Sequence, residues 1–361
     1  MNPIKHLLAI HRVWGLQLNK YYDQLLSFFG SWEELWRSKK PPEELAIPAP
    51  LWDKLQEAKK SIEPDSLVAE LREKGLGIII REHQHYPRLL LQITNIPCIL
   101  YYCGRLSLLK EDSLAVVGSR NATPYGLQQS RDICRELAAN GLVIVSGMAR
   151  GIDAAAHVGA LEAKDGGTIA VLGCGVDIIY PRENTKLYHR LQEEGLLISE
   201  FPIGTAPLPY FFPIRNRIIS GLSRAVFIVE AQAKSGTLIT CDYALEQGKD
   251  VYALPGPVTS PNSIGTVRLI QNGAKAVIHA GDILEDLGYS FGECLFAKQK
   301  ENRKAISSTE KKILNRLGWE PVHLDILLAD FAETASLYQD LLTLELKGLI
   351  KQLPGKYYIR I

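Results

Sequence analysis

The chain has 361 residues, of which 46% are hydrophobic and 22% are charged, and its formal net charge is +1. This balance is typical of a soluble globular protein with two or three domains. It excludes a globally basic nucleic-acid-binding protein but allows a local basic groove. The sequence has no apolar run long enough to span a membrane, and its six scattered cysteines contain no Cys-x-x-Cys pair. We therefore expect a cytoplasmic protein with reduced thiols and with neither a zinc ribbon nor disulfides.

The sequence of residues 1–75 predicts a helical domain. Segments 18–29, 31–38 and 64–75 place apolar side chains at a spacing close to that of an α-helix. Ser31 has a glutamate three positions on, which is the spacing of a capping box and marks a helix start. The N-terminal apolar run is broken by polar residues, and no small-residue cleavage site follows it. We interpret it as a helix and not as a signal peptide.

Residues 76–290 predict an α/β domain with an extended Rossmann-like, doubly wound, mostly parallel sheet. Two apolar runs, 77–81 and 98–104, predict an adjoining strand pair. Seven further short runs are rich in Val, Ile and Leu and do not alternate with polar residues, which is typical of strands buried on both faces. They cover residues 114–118, 142–146, 168–173, 196–199, 225–230, 250–255 and 275–278. Because amphipathic segments separate these runs, β and α alternate, and right-handed crossovers produce a doubly wound sheet.

The C-terminal part predicts a linker and a small separate domain. Residues 291–307 lose apolar periodicity and gain charge, which indicates a linker. Residues 308–361 contain three helical stretches and a hairpin with Pro354-Gly355 at its turn, which is typical of a winged helix-turn-helix domain. The candidate recognition helix, 334–348, carries more acidic than basic residues. We therefore expect a protein-contact or weak DNA-contact module.

Loops of small and basic residues follow the predicted strands. In an open parallel sheet these loops gather outside the carboxyl ends of the strands, where ligands bind. Gly118, Ser119 and Arg120 precede a helix that starts near Pro124. A glycine, a hydroxyl, a guanidinium and free helix N–H groups can therefore converge on a phosphate. The alternative is a tight turn with a solvent-exposed arginine.

Two further loops carry cations. We interpret Gly147 and Arg150 as part of a second phosphate-facing loop, and Arg182 lies in a third. Asp153 and His157 are one helical turn apart and are candidates for an acid–base pair. We favour a capping aspartate and a packed histidine, because no third catalytic partner is evident.

The residues before the 225–230 strand interleave aromatic side chains with cations. Arg215, Asn216 and Arg217 stand at a predicted loop-to-helix junction. Bases stack on aromatic rings while arginines pair with phosphates, so this composition suits single-stranded nucleic acid. The alternative is that the rings pack under the sheet and that Glu200 or Glu230 pairs with the arginines.

A further loop, Ser235-Gly236-Thr237, opens a helix whose first N–H groups can hold an anion. The alternative is a plain N-cap with a glycine turn. The sequence has neither the G-x-G-x-x-G of a dinucleotide-binding turn nor the G-x-x-x-x-G-K-[ST] of a P-loop, so we expect no cofactor. Together the loops indicate a polyphosphate, nucleotide or nucleic-acid ligand.

Six segments carry a resemblance to a known family. They are VVGSR (116–120), SGMARGIDAAAH (146–157), AVLGCGVDIIYPREN (170–184), SEFPIGTAPLPYFFPIRNRIISGLS (199–223), VEAQAKSGTLIT (229–240) and YALPGPV (252–258). With the C-terminal tail, they resemble the DNA-processing protein A (DprA/Smf) family over nearly the whole chain. The resemblance implies an extended Rossmann-like core, an N-terminal region similar to sterile-alpha-motif or helix-hairpin-helix domains, a C-terminal winged helix and a homodimer.

The resemblance also implies a function. It indicates a non-catalytic protein that binds single-stranded DNA without sequence specificity, protects it, and loads the RecA recombinase onto it during natural transformation and recombination. The family's DNA-contacting positions fall on Arg120, on Arg182, and on Asn216 with its flanking arginines. The candidates for the dimer surface are the helix at 262–273 and the strand at 275–278, because they end the large sheet.

The runner-up hypothesis is a nucleotide-processing Rossmann-like enzyme of the phosphoribohydrolase type, which the core resembles distantly. Such enzymes usually have a glutamate three residues after the Thr of their Gly-Thr. Here Gly236-Thr237 is followed by Leu238, Ile239 and Thr240. Because the acid–base group is missing, we favour DNA binding over catalysis.

Overall fold

The computed structural model describes residues 4–289, 307–318, 320–331, 334–347 and 349–360. They fall into two compact units, Met1–Ile283 and Leu284–Ile361. The predicted linker at 291–307 follows this boundary, and all of it except Ser307 lies outside the described residues.

Helices cover the N-terminal region, as the sequence predicts. They are α1 (Ile4–Trp14), α2 (Leu18–Phe29), α3 (Trp32–Arg37), α4 (Ala49–Ala58) and α5 (Pro64–Glu73). Ser31 caps α3, because its side chain accepts a hydrogen bond from the backbone N–H of Glu34 at 3.2 Å. Leu7 and Leu18 are buried in the same hydrophobic cluster as Tyr101 of the sheet. The N-terminal helices therefore pack on one face of that sheet.

A nine-stranded sheet forms the centre of the first unit. Its strands are β1 (Gly77–Ile80), β2 (Ile99–Gly104), β3 (Ser113–Val117), β4 (Val143–Ser146), β5 (Thr168–Val171), β6 (Leu196–Ser199), β7 (Ala225–Ile228), β8 (Asp250–Ala253) and β9 (Lys275–Ala276). The spatial order is β1-β2-β6-β5-β4-β3-β7-β8-β9. The seven strands β3 to β9 run parallel to one another, and β1 and β2 add an antiparallel edge beside β6. The seven predicted strands and the adjoining pair are confirmed.

Helices alternate with these strands. They are α6 (Pro124–Ala139), α7 (Ile152–Glu162), α8 (Thr185–Glu194), α9 (Phe211–Leu222), α10 (Thr237–Glu246), α11 (Ile264–Gln271) and α12 (Ala280–Asp286). Every residue of β3, β4, β5, β6 and β7 is buried, which explains why their sequences do not alternate with polar residues. The expected Rossmann-like, doubly wound sheet is confirmed.

The direction of strand addition changes beside β3. From β3 the chain adds β4, β5 and β6 on one side, and it later adds β7 on the other. Leu114 of β3 accordingly pairs with Ile144 of β4 and with Ala225 of β7. The loops after β3 and β7 both border a crevice at the carboxyl ends of these strands. In folds of this type that crevice is the ligand site.

The second unit is a winged helix, as the sequence predicts. Its elements are α13 (Ser308–Arg316), β10 (Val322–His323), α14 (Leu324–Asp330), α15 (Thr334–Leu346), β11 (Ile350–Leu353) and β12 (Tyr357–Arg360). The strands form a sheet in the order β10-β12-β11. Ile313, Leu327 and Leu341, one from each helix, are buried in its core. The Ser307 side chain accepts from the N–H of Glu310, and the Glu310 carboxylate accepts from the N–H of Ser307, so a capping box begins α13.

The cysteines and the helix lengths concern two further expectations, which are reduced thiols and the lack of a membrane-spanning segment. Cys98, Cys103, Cys134, Cys174 and Cys241 are free thiols, and Cys294 lies outside the described residues. Burial raises the pKa of Cys241 to about 11, so this thiol stays protonated at neutral pH. None of the described helices combines the length and the apolar character needed to cross a bilayer.

Candidate nucleic-acid interface

A pocket of about 380 Å³ opens in the crevice beside β3. Its wall comes from the loop after β3, the loop after β4, the first turns of α9 and the segment between β7 and α10. Of the residues predicted from the sequence, those that line it are Gly118, Ser119, Arg120, Arg215, Asn216, Ser235, Gly236 and Thr237. Loops that are far apart in the chain therefore meet at one site.

Glu230 joins the two sides of the crevice. Thr123 caps α6, because its side chain accepts from the N–H of Gly126 at 3.1 Å and Pro124 follows it at the first helical position. The Glu230 carboxylate, just after β7, accepts from the N–H of Thr123 at 3.0 Å and also from its hydroxyl. Burial raises the pKa of Glu230, and these hydrogen bonds oppose that rise. The start of α6 is thereby held against the end of β7.

The loop after β4 packs closely on the loop after β3. Gly151 has a φ of +77°, and a Cβ at this position would lie 2.3 Å from the carbonyl oxygen of Ser119. The same oxygen accepts a hydrogen bond from the N–H of Ile152 at 3.2 Å. Only glycine combines this backbone conformation with this close approach. The contact sets the position of Ser119 and, next to it, Arg120.

Arg215 is a buried arginine whose side chain lines the pocket. Its Nη1 donates to the carbonyl oxygen of Gly147 at 2.8 Å and to that of Val171. The Asp153 carboxylate accepts from the N–H groups of Gly147 at 3.2 Å and Ala149 at 3.3 Å. Burial lowers the pKa of Arg215 to about 10, so it stays charged at neutral pH. Its main contacts hold the loop after β4 in place, and Asp153 partly balances its charge.

Two exposed cations and a helix terminus face the pocket. The guanidinium of Arg120 lies 5.5 Å from the centroid of the Phe212 ring, and this cation–π contact orients it at the pocket edge. Lys234 approaches from the loop after β7. The hydroxyl of Ser235 accepts from the N–H of Thr237, the first residue of α10, at 3.2 Å. Two cations beside the positive end of a helix are suited to a phosphate group.

Thr240 belongs to the pocket, although it is not among the site residues predicted from the sequence. It lines the pocket and is 1% exposed, and its hydroxyl has no hydrogen-bond partner within the described residues. It lies three positions after Thr237, so it shares the helix face that begins at the N-terminus of α10. This spacing is the signal that could have identified it.

Arg217 lies elsewhere. Helix α9 starts before Arg215, so Arg215, Asn216 and Arg217 are within a helix, and the expected loop-to-helix junction is wrong. Residues two apart on a helix point roughly 200° apart. Arg217 forms an ion pair with Glu200, with side-chain exposures of 4% and 1%, and Nδ2 of Asn19 contacts the same carboxylate at 3.5 Å. The geometry of Arg217 is that of the alternative interpretation, an arginine paired with Glu200.

Arg150 and Arg182 are outside the set of lining residues but near it. Nδ2 of Asn184 donates to the carbonyl oxygen of Met148 at 2.9 Å, which joins the loops after β4 and β5. Nη1 of Arg150 pairs with Glu183 at 3.2 Å, and both side chains are more than half exposed. An exposed pair of this kind is weak, so Arg150 can exchange its partner for a phosphate. Arg182 is exposed at the start of a short 3₁₀ helix.

Asp153 and His157 do not form an acid–base pair. Nδ1 of His157 lies 2.7 Å from the hydroxyl of Thr168, and that hydroxyl donates to the carbonyl oxygen of Ile144 at 2.7 Å. The hydroxyl has one proton, so it must accept from Nδ1–H of His157. Burial lowers the pKa of His157 to about 3, which keeps the ring neutral. The packed histidine is confirmed. The capping aspartate is wrong, because Asp153 lies within the first turn of α7 and its carboxylate accepts from N–H groups of the preceding loop, while no side chain caps the helix. The described residues contain no cluster suited to a metal ion.

Comparison with known sequences identifies relatives over most of the chain. The profile of the family described as DNA recombination-mediator protein A matches residues 77–288, and that of the DprA winged helix domain matches residues 297–356. Protein Smf of Escherichia coli K12 is 41% identical over 307 residues, which cover 83% of this chain and 81% of that protein. DNA processing protein DprA of Streptococcus pneumoniae is 45% identical over 204 residues, which cover 56% of this chain and 72% of that protein.

Solved structures lead to the same family. The X-ray structure of DprA from Streptococcus pneumoniae matches with a TM-score of 0.67 and 34% identity, and the match covers 80% of this chain and 98% of that one. A structure of DprA from Helicobacter pylori, described for its single-stranded DNA binding mode, matches with a TM-score of 0.54 and 32% identity. This match covers 59% of this chain and 95% of that one. The chain therefore belongs to the DNA recombination-mediator protein A family, the family of the DprA and Smf proteins.

Proposed function

We propose that this protein binds single-stranded DNA in the pocket beside β3, without preference for base sequence. The observation that carries this proposal is the convergence of Arg120, Lys234 and the N-terminus of α10 on one crevice. All three are groups that bind phosphate. The related Helicobacter pylori protein has a described single-stranded DNA binding mode, and we transfer that ligand class to this chain.

The types of group at the pocket support sequence-independent binding. Cations and backbone N–H groups contact the phosphodiester backbone, which carries no sequence information. The Phe212 ring lines the same pocket, and an aromatic ring stacks on any base. A single strand can present both its phosphates and its unpaired bases to such a surface, whereas a duplex keeps its bases stacked inside.

We propose a non-catalytic role. The carboxylate of Asp153 is engaged by loop N–H groups, and His157 is buried and neutral. The first turn of α10 carries Leu238, Ile239 and Thr240 where a phosphoribohydrolase has its glutamate. The described pocket therefore offers binding groups without a free acid–base pair, which favours a mediator over a nucleotide-processing enzyme.

We further propose that the bound strand is protected from nucleases and passed to the RecA recombinase, in the cytoplasm, during natural transformation and recombination. Family membership supports this role. We also propose a homodimer, with the surface at 262–273 and 275–278. Strand β9 ends the sheet, and Ile278 just beyond it is 76% exposed, which is a large apolar exposure at a sheet edge.

The binding proposal is tested by fluorescence anisotropy with labelled oligo(dT) and a matched duplex across a salt series. Arg120→Ala should weaken binding to every single strand about tenfold and lower the salt slope by about one phosphate contact. Arg135→Ala is the matched control, because Arg135 is also exposed but lies near the other end of α6 and pairs with Asp132. It should bind as the wild type does.

Equal affinity for single strand and duplex, or an unchanged salt slope in Arg120→Ala, would contradict the proposed site. Hydrolysis of a nucleoside monophosphate by the wild type would instead support the enzyme hypothesis. RecA loading is tested by filament assembly on oligo(dT) covered with single-strand-binding protein. The wild type should accelerate assembly and Arg120→Ala should not.

A further inference from the structure

Tyr180 presents an exposed aromatic ring outside the pocket. The residue follows β5 in the loop that leads to α8, and it is 39% exposed. Its ring lies 5.3 Å from the Phe212 ring with an angle of 31° between the planes. This geometry is close to an offset stack, which leaves part of the Tyr180 surface open to solvent.

The Phe212 ring connects Tyr180 to the pocket. Phe212 lines the pocket wall, and the guanidinium of Arg120 lies over its ring, 5.5 Å from the ring centroid. The aromatic surface therefore extends from the wall to Tyr180, one ring further out. Arg120 lies on the pocket side of this surface, and exposed Arg182 follows Tyr180 two residues later. Aromatic rings flanked by cations are suited to bind a single strand, because its bases stack on the rings while its phosphates pair with the cations.

The loop that carries Tyr180 is held in place from several directions. Nδ2 of Asn184 donates to the loop after β4. The hydroxyl of Tyr188 donates to the carbonyl oxygen of Val176 at 2.6 Å, and Oδ1 of Asp177 accepts from the N–H of Gly204 at 2.8 Å. A ring fixed before binding loses little conformational entropy when a base stacks on it.

We propose that Tyr180 forms a nucleobase-stacking subsite next to the pocket. The strand held in the pocket places an adjacent base on the open part of the Tyr180 ring, with the next phosphate near Arg182. This inference rests on the proposed single-stranded DNA binding and adds the direction in which the strand leaves the pocket. The subsite takes any base, since its recognition is through the ring face.

The test compares Tyr180→Leu and Tyr180→Phe on oligo(dT) and on an abasic oligomer with the same number of phosphates. Tyr180→Leu should bind oligo(dT) roughly tenfold more weakly than the wild type. Its affinity for the abasic oligomer should be unchanged, because that oligomer has no base to stack. Tyr180→Phe keeps the ring and should bind both oligomers as the wild type does. The salt slope should stay constant in all three proteins, in contrast to Arg120→Ala.

A cross-linking experiment needs no variant. Oligo(dT) with 5-iodouracil in place of thymine should, on irradiation, yield a peptide cross-linked at Tyr180. Cross-links only at other residues, or equal losses on both oligomers in Tyr180→Leu, would overturn the subsite even if Arg120→Ala confirms the pocket. If the wild type binds neither oligomer, the proposed function itself fails.

Discussion

Arg217 of α9 and Glu200 after β6 form an ion pair in the protein interior, with side-chain exposures of 4% and 1%. Asn19 of α2 contacts the same carboxylate through Nδ2, and its Oδ1 accepts from the N–H of Cys98 at 2.8 Å. The pair thus joins α9, the end of β6 and the N-terminal helices. The cost of removing both charges from water offsets much of their attraction, so their main contribution is to geometry.

Removing one partner of this pair should destabilise the fold. Arg217→Met leaves the Glu200 carboxylate buried without its cation, and the free energy of unfolding should fall by ~3–5 kcal/mol in urea titrations. The double variant Arg217→Met with Glu200→Gln should lose clearly less free energy of unfolding than Arg217→Met alone. The folded fraction of Arg217→Met should keep the wild-type salt slope for oligo(dT). A reduced slope without a loss of stability would place Arg217 at the DNA instead.

Two glycines of the pocket loops should respond differently to alanine. Gly151→Ala forces a Cβ towards the Ser119 carbonyl at a φ of +77°, and should lower the free energy of unfolding by ~1–3 kcal/mol and weaken oligo(dT) binding. Gly236→Ala is the matched control, because a Cβ there meets no atom within 4 Å. Its thermal midpoint should be unchanged or raised. A normal midpoint in Gly151→Ala would show that the two loops are not packed as described.

The unpaired hydroxyl of Thr240 should matter to the ligand more than to the fold. Thr240→Val removes a buried hydroxyl that has no partner within the described residues, and should raise the free energy of unfolding by up to about 1 kcal/mol. If the hydroxyl hydrogen-bonds a phosphate, the same change should weaken oligo(dT) binding about fivefold. Thr240→Ser keeps the hydroxyl and should bind normally. Unchanged affinity in Thr240→Val would remove Thr240 from the interface.

Two buried histidines should contribute a loss of stability as the pH is lowered below 6.5. Burial lowers the pKa of His11 and of His157 to about 3 from the ordinary value of 6.5. Between these values the unfolded chain takes up protons that the folded protein does not, so the free energy of unfolding decreases with falling pH. Each histidine should account for about 1 kcal/mol between pH 7 and pH 5.5.

His157→Asn measures this contribution, because asparagine does not titrate and its amide can still donate to Thr168. Urea unfolding at several pH values should show a shallower loss of stability in this variant than in the wild type. Parallel pH profiles for the two proteins would mean that His157 titrates normally in the folded state.

The sequence by itself determined the fold class and the identity of most of the pocket loops. Strands such as 114–118 and 225–230 are apolar without alternation, and this is a local property of a strand with two buried faces. The rule that loops meet at the carboxyl ends of parallel strands then predicts that Arg120 and Ser235 lie at one site. Both inferences depend on short-range pattern and on a general rule of chain topology.

Tertiary structure alone decided which partners the polar side chains have. Arg215 and Arg217 are two residues apart in one helix and therefore face different surroundings, one the pocket and the other Glu200. Likewise, the contact between Tyr180 and Phe212 joins the loop after β5 to the first turn of α9. Whether a charge is neutralised or a ring stays exposed depends on what distant segments bring within a few ångströms, and local periodicity carries no information about that.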